Sequence, residues 1–270
     1  MTAIAMPYPS FGALMREWRQ RRHLSQLALA LRSDTSQRHL SFVESGRAQP
    51  SREMVIHLAE QLEVPLRERN RFLLAAGYAP AYAERLLSDP ALEVARSAVE
   101  RVLAGHEPYP ALAVDRSWTL MSANRAVSLF IGGAAPSLLQ PPVNVLRLSL
   151  HPEGLASRIV NLQQWRRHVL ERLRRQSEAS GEPGLAELLD ELSAYPVPRA
   201  RRGAPPVNLD DGAGVFIPLQ LATDDGVLSF ISTTTVFGTP LDITLSEIAL
   251  ECFFPADAVT AERLRSAAIA

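Results

Sequence analysis

The segment that most constrains the fold runs from Ser25 to Ser51, SQLALALRSDTSQRHLSFVESGRAQPS. Serine and threonine accept hydrogen bonds from the free amides at a helix start, so Ser25 and either Thr35 or Ser36 are expected to cap two short helices. Gly46 is expected to end the second helix, because glycine adopts the left-handed backbone that closes many helices. The short spacing between the two helices predicts a tight turn. The segment therefore predicts two helices that cross closely.

The apolar residues of this helix pair are placed for such a crossing. Ala30 is small where the second helix must approach, and Leu40 and Val43 are spaced to face inward from the second helix. Three further helices are predicted before residue 80, beginning near Ser10, Ser51 and Pro65. Residues 1–78 are thus predicted to form a mainly α, five-helix domain with a helix-turn-helix, the arrangement that places a second helix in the major groove of DNA.

The outward-facing residues of the pair have side chains suited to DNA. Glutamine pairs well with adenine and arginine with guanine, and each bidentate contact is worth about 1–3 kcal/mol of discrimination. Gln26 and Arg47 are placed for phosphates, and Phe42 for a thymine methyl group. His39 is equally compatible with a phosphate contact and with simple exposure. The predicted DNA-binding residues are Gln26, Ser36, Gln37, Arg38, His39, Ser41, Phe42 and Arg47. The alternative is a helical bundle or protein-binding module with no role in DNA recognition.

The charge distribution favours DNA binding by the first part of the chain. Residues 1–78 contain 11 Arg against 7 Asp and Glu, a net +4, while residues 79–270 contain 17 against 22, a net −5; together these give the overall −1. A basic N-terminal part followed by an acidic remainder is consistent with contact to DNA phosphates through the N-terminal part. All 28 basic residues are arginine, which is typical of a GC-rich genome and by itself indicates nothing about nucleic acid.

The rest of the chain changes its periodicity. A helical connector is predicted over 79–105, broken near Asp89–Pro90, and the prolines of His106–Pro110 predict a stiff, extended hinge. Residues 106–270 form the second predicted domain, with helices from Pro152 to Tyr195 and a last helix from Asp257. Its strands are predicted at 111–114, 118–122, 214–223, 227–237 and 247–254. The order favours an α+β, PAS-like domain with an antiparallel sheet.

The first domain resembles the Cro/lambda-repressor, or XRE, class of helix-turn-helix regulators. The resemblance covers about residues 10–78 and rests on the spacing of Gln26, Ala30, Leu40, Val43, Glu44 and Gly46. Many members have glycine in the turn, where this chain has Asp34. Aspartate tolerates a left-handed backbone better than most residues, so the turn is still expected to form.

The whole chain resembles one branch of that class, the MmyB-like regulators. The matching stretches include HEPYPALAVDRSWTLMSANRA, LHPEGLASRIVNLQQWRRHVLERL and STTTVFGTPLDITLSEIALECFFPAD. The resemblance implies a transcription regulator whose C-terminal PAS-like domain binds an apolar small molecule such as a fatty acid. It also implies double-stranded operator DNA as a partner, and we expect binding as a homodimer.

Large apolar residues on the predicted strands and helices could line such a ligand pocket. The predicted pocket residues are Trp118, Met121, Phe130, Trp165, His168, Phe216, Phe230 and Phe237. The alternative is that they fill an ordinary core. Arg125, Arg166 and His168 are candidate anchors for a carboxylate, although the arginine-rich stretch 166–175 is also typical of the solvated face of a helix or of a second phosphate-binding surface.

Other function classes find little support in the sequence. A phosphate-binding glycine loop, a nucleophile elbow and paired metal-ligand histidines are absent from it, so neither an enzyme nor a metal site is expected. The single cysteine, Cys252, favours a buried, inert thiol over an oxidant sensor. Without a membrane-spanning run or a signal peptide, the protein is expected in the cytoplasm with no membrane partner. No cofactor is expected apart from a bound fatty acid or other apolar ligand. Two alternatives stay open: a C-terminal domain that only dimerises or binds proteins, and an autorepressing antitoxin.

Overall fold

The computed structural model describes residues 9–196 and 216–269. The chain divides into two compact units, which are treated separately below. The first runs to Leu86 and includes Glu178–Ser180 and Thr239–Ser246, and the second comprises Leu87–Ser177, Gly181–Gly238 and Glu247–Ala270. The predicted hinge at His106–Pro110 lies inside the second unit, where Tyr109 N donates to His106 O in a turn rather than an extended segment.

Five α-helices lie between residue 9, where the described part of the chain begins, and residue 80, as the sequence predicts. They are α1 (Phe11–Arg21), α2 (Gln26–Arg32), α3 (Gln37–Glu44), α4 (Arg52–Gln61) and α5 (Leu66–Ala75). Four begin with a serine cap: the hydroxyls of Ser10, Ser25, Ser36 and Ser51 each accept a hydrogen bond from the amide three residues on. Such a cap contributes about 1 kcal/mol, which matters for helices of this length.

The first unit is held together by one cluster of apolar side chains. Met15 of α1, Leu40 of α3, Leu58 of α4 and Phe72 of α5 are essentially inaccessible to solvent and belong to this cluster. Each fully buried side chain of this size contributes about 1.5–3 kcal/mol by removal from water. Each of α1 to α5 contributes apolar side chains to the cluster. The relative positions of α2 and α3 are therefore fixed by packing as well as by the turn between them.

The helical connector predicted over 79–105, with a break near Asp89–Pro90, is wrong before that break. Residues 79–89 contain no helix, and α6 spans Glu93–Gly105 after a short 3-10 turn at Pro90–Leu92. The amide of Asn70 explains the difference, because its Oδ1 accepts from the amides of Ala81 (2.9 Å) and Tyr82 (3.1 Å) that a helix would use internally.

The segment that follows pairs with a distant part of the first unit. Ala83 forms a parallel bridge with Asp242, and the amide of Ile243 donates to Ala83 O at 2.9 Å. Arg85 donates to the Asp242 carboxylate, also at 2.9 Å, and Thr244 donates to Arg85 O. Asp242 is 5% exposed, whereas the Arg85 side chain is 41% exposed, so a buried carboxylate is paired with a guanidinium at the surface.

The second unit is an antiparallel sheet with helices. After α6 the chain forms β1 (Ala111–Val114), β2 (Leu120–Ala123), α7 (Ser128–Ile131), α8 (Val145–Leu150), α9 (Leu162–Ser180), α10 (Pro183–Ala194), β3 (Leu219–Thr223), β4 (Gly226–Val236), α11 (Ile243–Glu247), β5 (Ala249–Pro255) and α12 (Ala258–Ile269). Of these elements, the last three residues of α9 and all but the last residue of α11 belong to the first unit. The third predicted strand is shorter than expected, and its first two residues, 214 and 215, lie outside the described residues. Trp118 has a left-handed backbone (φ 64°), which delays the start of β2.

The five strands of the described residues are ordered β2-β1-β5-β4-β3, and each neighbouring pair is antiparallel. The central position of β5, between β1 and β4, confirms the predicted α+β, PAS-like fold. β5 pairs with β4 over seven residues, from Phe230 opposite Pro255 to Val236 opposite Ala249. Both faces of β5 are covered: Leu250 and Cys252 are buried, and so are the alternate residues Glu251 and Phe253. The middle of β5, residues 250–253, is thus buried on both faces, whereas Phe254 near its end is 42% exposed.

Candidate DNA-binding surface and ligand cavity

The turn between α2 and α3 forms around Asp34. Its φ of 48° is the left-handed conformation that the helix-turn-helix needs, and the amide of Thr35 donates to Ala30 O at 3.0 Å. Ala30 is 1% exposed, which agrees with its predicted place at the helix crossing. Aspartate therefore adopts the left-handed conformation in this turn, at the modest conformational cost expected for a short polar side chain.

A buried carboxylate joins α1, α2 and α3. Glu44 of α3 has a side chain that is 1% exposed and accepts from Arg19 Nε of α1 at 2.6 Å and from Gln26 Nε2 of α2 at 2.7 Å. Burial by itself raises the pKa of Glu44, but the hydrogen bonds from Arg19 and Gln26 outweigh it and lower the pKa below the ordinary value. Glu44 thus fixes the orientation of α3 relative to α1 and α2.

The outer face of α3 carries the residues predicted to contact bases. Gln37 and Arg38 are exposed, while Ser41 and Phe42 are half-buried. The guanidinium carbons of Arg38 and Arg47 lie 5.4 and 5.8 Å from the centre of the Phe42 ring. One aromatic ring therefore supports two cations, which restricts their rotamers and presents both charges side by side.

The remaining predicted contacts lie around this face. The Ser36 hydroxyl caps α3, and His39, three residues further along the helix, is half-buried. Gln26 begins α2, and its amide nitrogen is engaged with Glu44. Its predicted phosphate contact therefore depends on the second N–H of that amide nitrogen and on the free amides of the helix start.

The second unit contains a cavity of about 440 Å³. Trp118, Phe130, Trp165 and His168, all predicted from the sequence, line it together with aliphatic residues of β1, β2, α8 and α9. Its size lies within the range of small-molecule sites, about 300–1,000 Å³. The same apolar side chains belong to the main core cluster of the unit, so the cavity lies within the core.

Four other predicted pocket residues do not line this cavity. Met121 is 39% exposed, since strand alternation places Leu120, its neighbour, on the cavity side. Phe216 is 46% exposed, ahead of the start of β3. Phe237 borders a different, smaller groove beside α6. Phe230 is fully buried and packs edge-on against Phe130, which does line the cavity.

Two family models match the chain. The ligand-binding domain of MmyB-like transcription regulators matches residues 95–267, and a helix-turn-helix model matches residues 15–69. The chain belongs to the MmyB-like transcription regulators. The predicted resemblance is confirmed over both parts of the chain, which is a ligand-responsive regulator with a helix-turn-helix for DNA. A search of the curated proteins found no match.

The polar groups of the cavity in this MmyB-like regulator differ from those predicted. Arg172 of α9 donates to both oxygens of Glu251 on β5, at 3.1 and 2.5 Å, and also to the hydroxyl of Thr234 at 2.8 Å. The Arg172 guanidinium lies 4.6 Å from the Trp118 ring centre. Both Arg172 and Glu251 line the cavity. Two features of the sequence could have indicated this pair: the four-residue spacing from His168 to Arg172, and an acidic residue within the apolar run ALECFF.

The three predicted carboxylate anchors have other partners or exposures. Arg125 reaches the cavity rim, but its side chain is 91% exposed and bonded to Glu107. Arg166 donates to the carbonyls of Leu192, Ser193 and Tyr195 at the end of α10, so it caps that helix and does not line the cavity. His168 does line the cavity, and burial followed by repulsion from Arg172 lowers its pKa, which favours the neutral ring.

The arginine-rich stretch of α9 is therefore not simply a solvated face. Arg166 and Arg172 are half-buried with structural partners, while Arg167, Arg174 and Arg175 are exposed. The sequence pattern could not separate these two groups, because all of them have the same side chain.

Several features bear on other function classes. Cys252 is buried, and burial followed by the charge of Glu251 raises the pKa of its thiol, which disfavours the reactive thiolate. Across residues 9–196 and 216–269, no group of His, Cys, Asp and Glu side chains is arranged to hold a metal ion. Within the same residues, no helix is long and apolar enough to cross a membrane.

Proposed function

We propose that this regulator binds a near-palindromic operator as a homodimer and that an apolar molecule in the cavity changes its affinity for that operator. Two helix-turn-helix units of a dimer contact two half-sites about one helical turn apart. A ligand that binds one arrangement of the dimer more tightly shifts the population toward it. Coupling of this kind is typically worth about 1–3 kcal/mol, or a 5- to 150-fold change in affinity.

The observation that supports the DNA contacts is the Phe42 ring with its two arginines. Arg38 lies in the first turn of α3, where recognition helices contact base edges, and Arg47 lies beyond the helix end. Arg38 is therefore proposed to contact guanine, with Gln37 and Ser41 beside it, and Arg47 to contact a phosphate.

The two arginines give different expected results on substitution. Arg38→Ala should relax specificity at one base pair, whereas Arg47→Ala should weaken binding to all sequences and reduce the salt slope by about 1. Selection of operators from random DNA, followed by binding measured over a salt series, separates the two. Equal loss of only non-specific binding in both variants would show that α3 is not the recognition helix.

The cavity carries the proposal of an apolar effector. Its walls are mainly Leu, Val, Trp and Phe side chains, with few polar groups. At roughly 30 Å³ for each water-sized group, 440 Å³ corresponds to a molecule of about ten to fifteen non-hydrogen atoms. Fatty acids and molecules with the same kind of hydrocarbon chain are the proposed class. The proposed location is the cytoplasm.

Lipid extraction of the purified protein, analysed by mass spectrometry, tests this proposal against a C-terminal domain that only dimerises. Stoichiometric recovery of one apolar compound is expected. Adding that compound back to stripped protein should change operator affinity by at least about fivefold. Unchanged DNA affinity at saturating ligand would reject the switch, and a filled core that takes up no ligand would favour the dimerisation module. A toxin-sized gene adjoining the operator would favour the antitoxin.

A further inference from the structure

The two arginines that line the cavity are both bonded to carboxylates. Arg172 binds Glu251 through two bonds, and Arg125 binds Glu107 through its Nη2 at 2.8 Å. The exposures of the two pairs differ: the Arg172 and Glu251 side chains are 30% and 5% exposed, while those of Arg125 and Glu107 are 91% and 27% exposed. The inner cation is thus neutralised within the protein, and the outer one is surrounded by water.

The Arg172–Glu251 pair makes the inner part of the cavity unfavourable for an anion. A ligand carboxylate near Arg172 would also lie near the negative charge of Glu251, which is buried and cannot turn to bulk water. Displacing Glu251 from Arg172 would leave that buried carboxylate with only the Thr234 hydroxyl as a partner. Breaking a buried ion pair in this way is strongly unfavourable.

The other polar groups at the cavity suit an uncharged head group. Trp165 donates to the Ser149 oxygen at 3.0 Å, which leaves the hydroxyl hydrogen of Ser149 available to donate. The neutral ring of His168 packs beside Trp165, with ring centres 5.6 Å apart. A neutral imidazole offers one donor and one acceptor, and no described residue hydrogen-bonds to either nitrogen of this ring. Asn124, also at the wall, already makes three bonds to backbone groups.

We infer that the cavity selects an uncharged amphiphile, a hydrocarbon chain ending in a hydroxyl, amide or ester group, over the carboxylate anion of the same chain. This inference rests on the proposed function of the cavity as an effector site. Glu251 is the residue that determines specificity, because it neutralises Arg172 and repels anions. Ser149 and His168 supply hydrogen bonds that a neutral head group can complete.

Three ligands of equal chain length test the inference in the full-length protein. Decanol, decanamide and decanoate are titrated at about pH 8, where the acid is ionised, and binding is followed by calorimetry and by the fluorescence of Trp118 and Trp165. Decanol and decanamide are expected to bind at least about tenfold more tightly than decanoate. Decanoate binding as tightly as the neutral ligands would overturn the inference but leave the effector site intact. Failure of all three to bind would overturn both.

A substitution identifies the cause of the selectivity. In Glu251→Gln, decanoate should gain at least about tenfold because Arg172 keeps its charge, while decanol should change less than about twofold. The matched control is Glu191→Gln: Glu191 is also bonded to an arginine, Arg147, and neither residue lines the cavity. No change in the decanoate-to-decanol ratio is expected in the control. An unchanged ratio in folded Glu251→Gln would overturn the role of Glu251, and the wild-type series decides the ligand class even if that variant does not fold.

Discussion

Replacement of Glu44 by glutamine should loosen the helix-turn-helix more than any other isosteric change in the first unit. The carboxylate is 1% exposed and accepts from Arg19 at 2.6 and 3.2 Å and from Gln26 at 2.7 Å. Removal of one partner of a buried ion pair costs about 3–5 kcal/mol. Glutamine keeps the shape and one acceptor, so we expect a loss near the lower end, about 3 kcal/mol.

Hydrogen exchange followed by mass spectrometry measures this loss in the full-length protein. A loss of about 3 kcal/mol corresponds to roughly a hundredfold faster exchange of globally protected amides in α1 and α3. The matched control is Glu17→Gln. Glu17 bonds Arg21 over the same 2.6 Å but is 52% exposed, so its removal should cost less than about 0.5 kcal/mol. Equal effects of the two substitutions would refute the argument that burial makes the Glu44 pair important.

Acid should reveal the same interaction. The folded-state pKa of Glu44 lies below its ordinary value of 4.5, so its contribution is complete above the unfolded pKa and is lost as pH falls through the folded pKa. The stability difference between wild type and Glu44→Gln should therefore shrink in acid. A difference that is constant from neutral pH to the acid range would contradict this assignment.

Two further changes test local geometry in the first unit. A Cβ at Gly12 would lie 2.5 and 2.7 Å from backbone carbonyl oxygens of α3, so Gly12→Ala should destabilise the protein by about 1–3 kcal/mol in thermal unfolding. A Cβ at Gly105 would meet open space, so the control Gly105→Ala should be neutral or stabilising. Asp34→Gly should stabilise the unit by up to about 1 kcal/mol and Asp34→Val should destabilise it, because only glycine adopts φ 48° freely; the opposite order in urea unfolding would refute the strain argument.

The fold was largely predictable where local chemistry determines it. Serine caps and apolar spacing located the five N-terminal helices, and residue types in the turn anticipated the left-handed Asp34. The error at 79–89 arose because the side chain of Asn70, distant in sequence, binds the amides of Ala81 and Tyr82. Tertiary hydrogen bonds of this kind leave no periodic signal.

The cavity was predictable only in part. The aromatic residues Trp118, Phe130 and Trp165 line the cavity, whereas Met121 does not, because hydrophobicity does not tell which side of a strand faces inward. Glu251 was missed because its importance comes from Arg172, which lies 79 residues away in sequence. A charged residue within an apolar strand was the available signal.

The pairing of Ala83 and Asp242 has a consequence for the order in which the protein is made. Arg85 and Asp242 are 157 residues apart. At a synthesis rate of about 5–20 residues per second, the ribosome needs roughly ten to thirty seconds to supply the second partner. The five helices, whose contacts are short in sequence, can fold during that interval. The newly made DNA-binding unit therefore exists for a time without the contacts that Ala83 and Arg85 make with residues 242–244. A nascent chain arrested before residue 239 should be cut by protease near residues 83–85 while its helices resist.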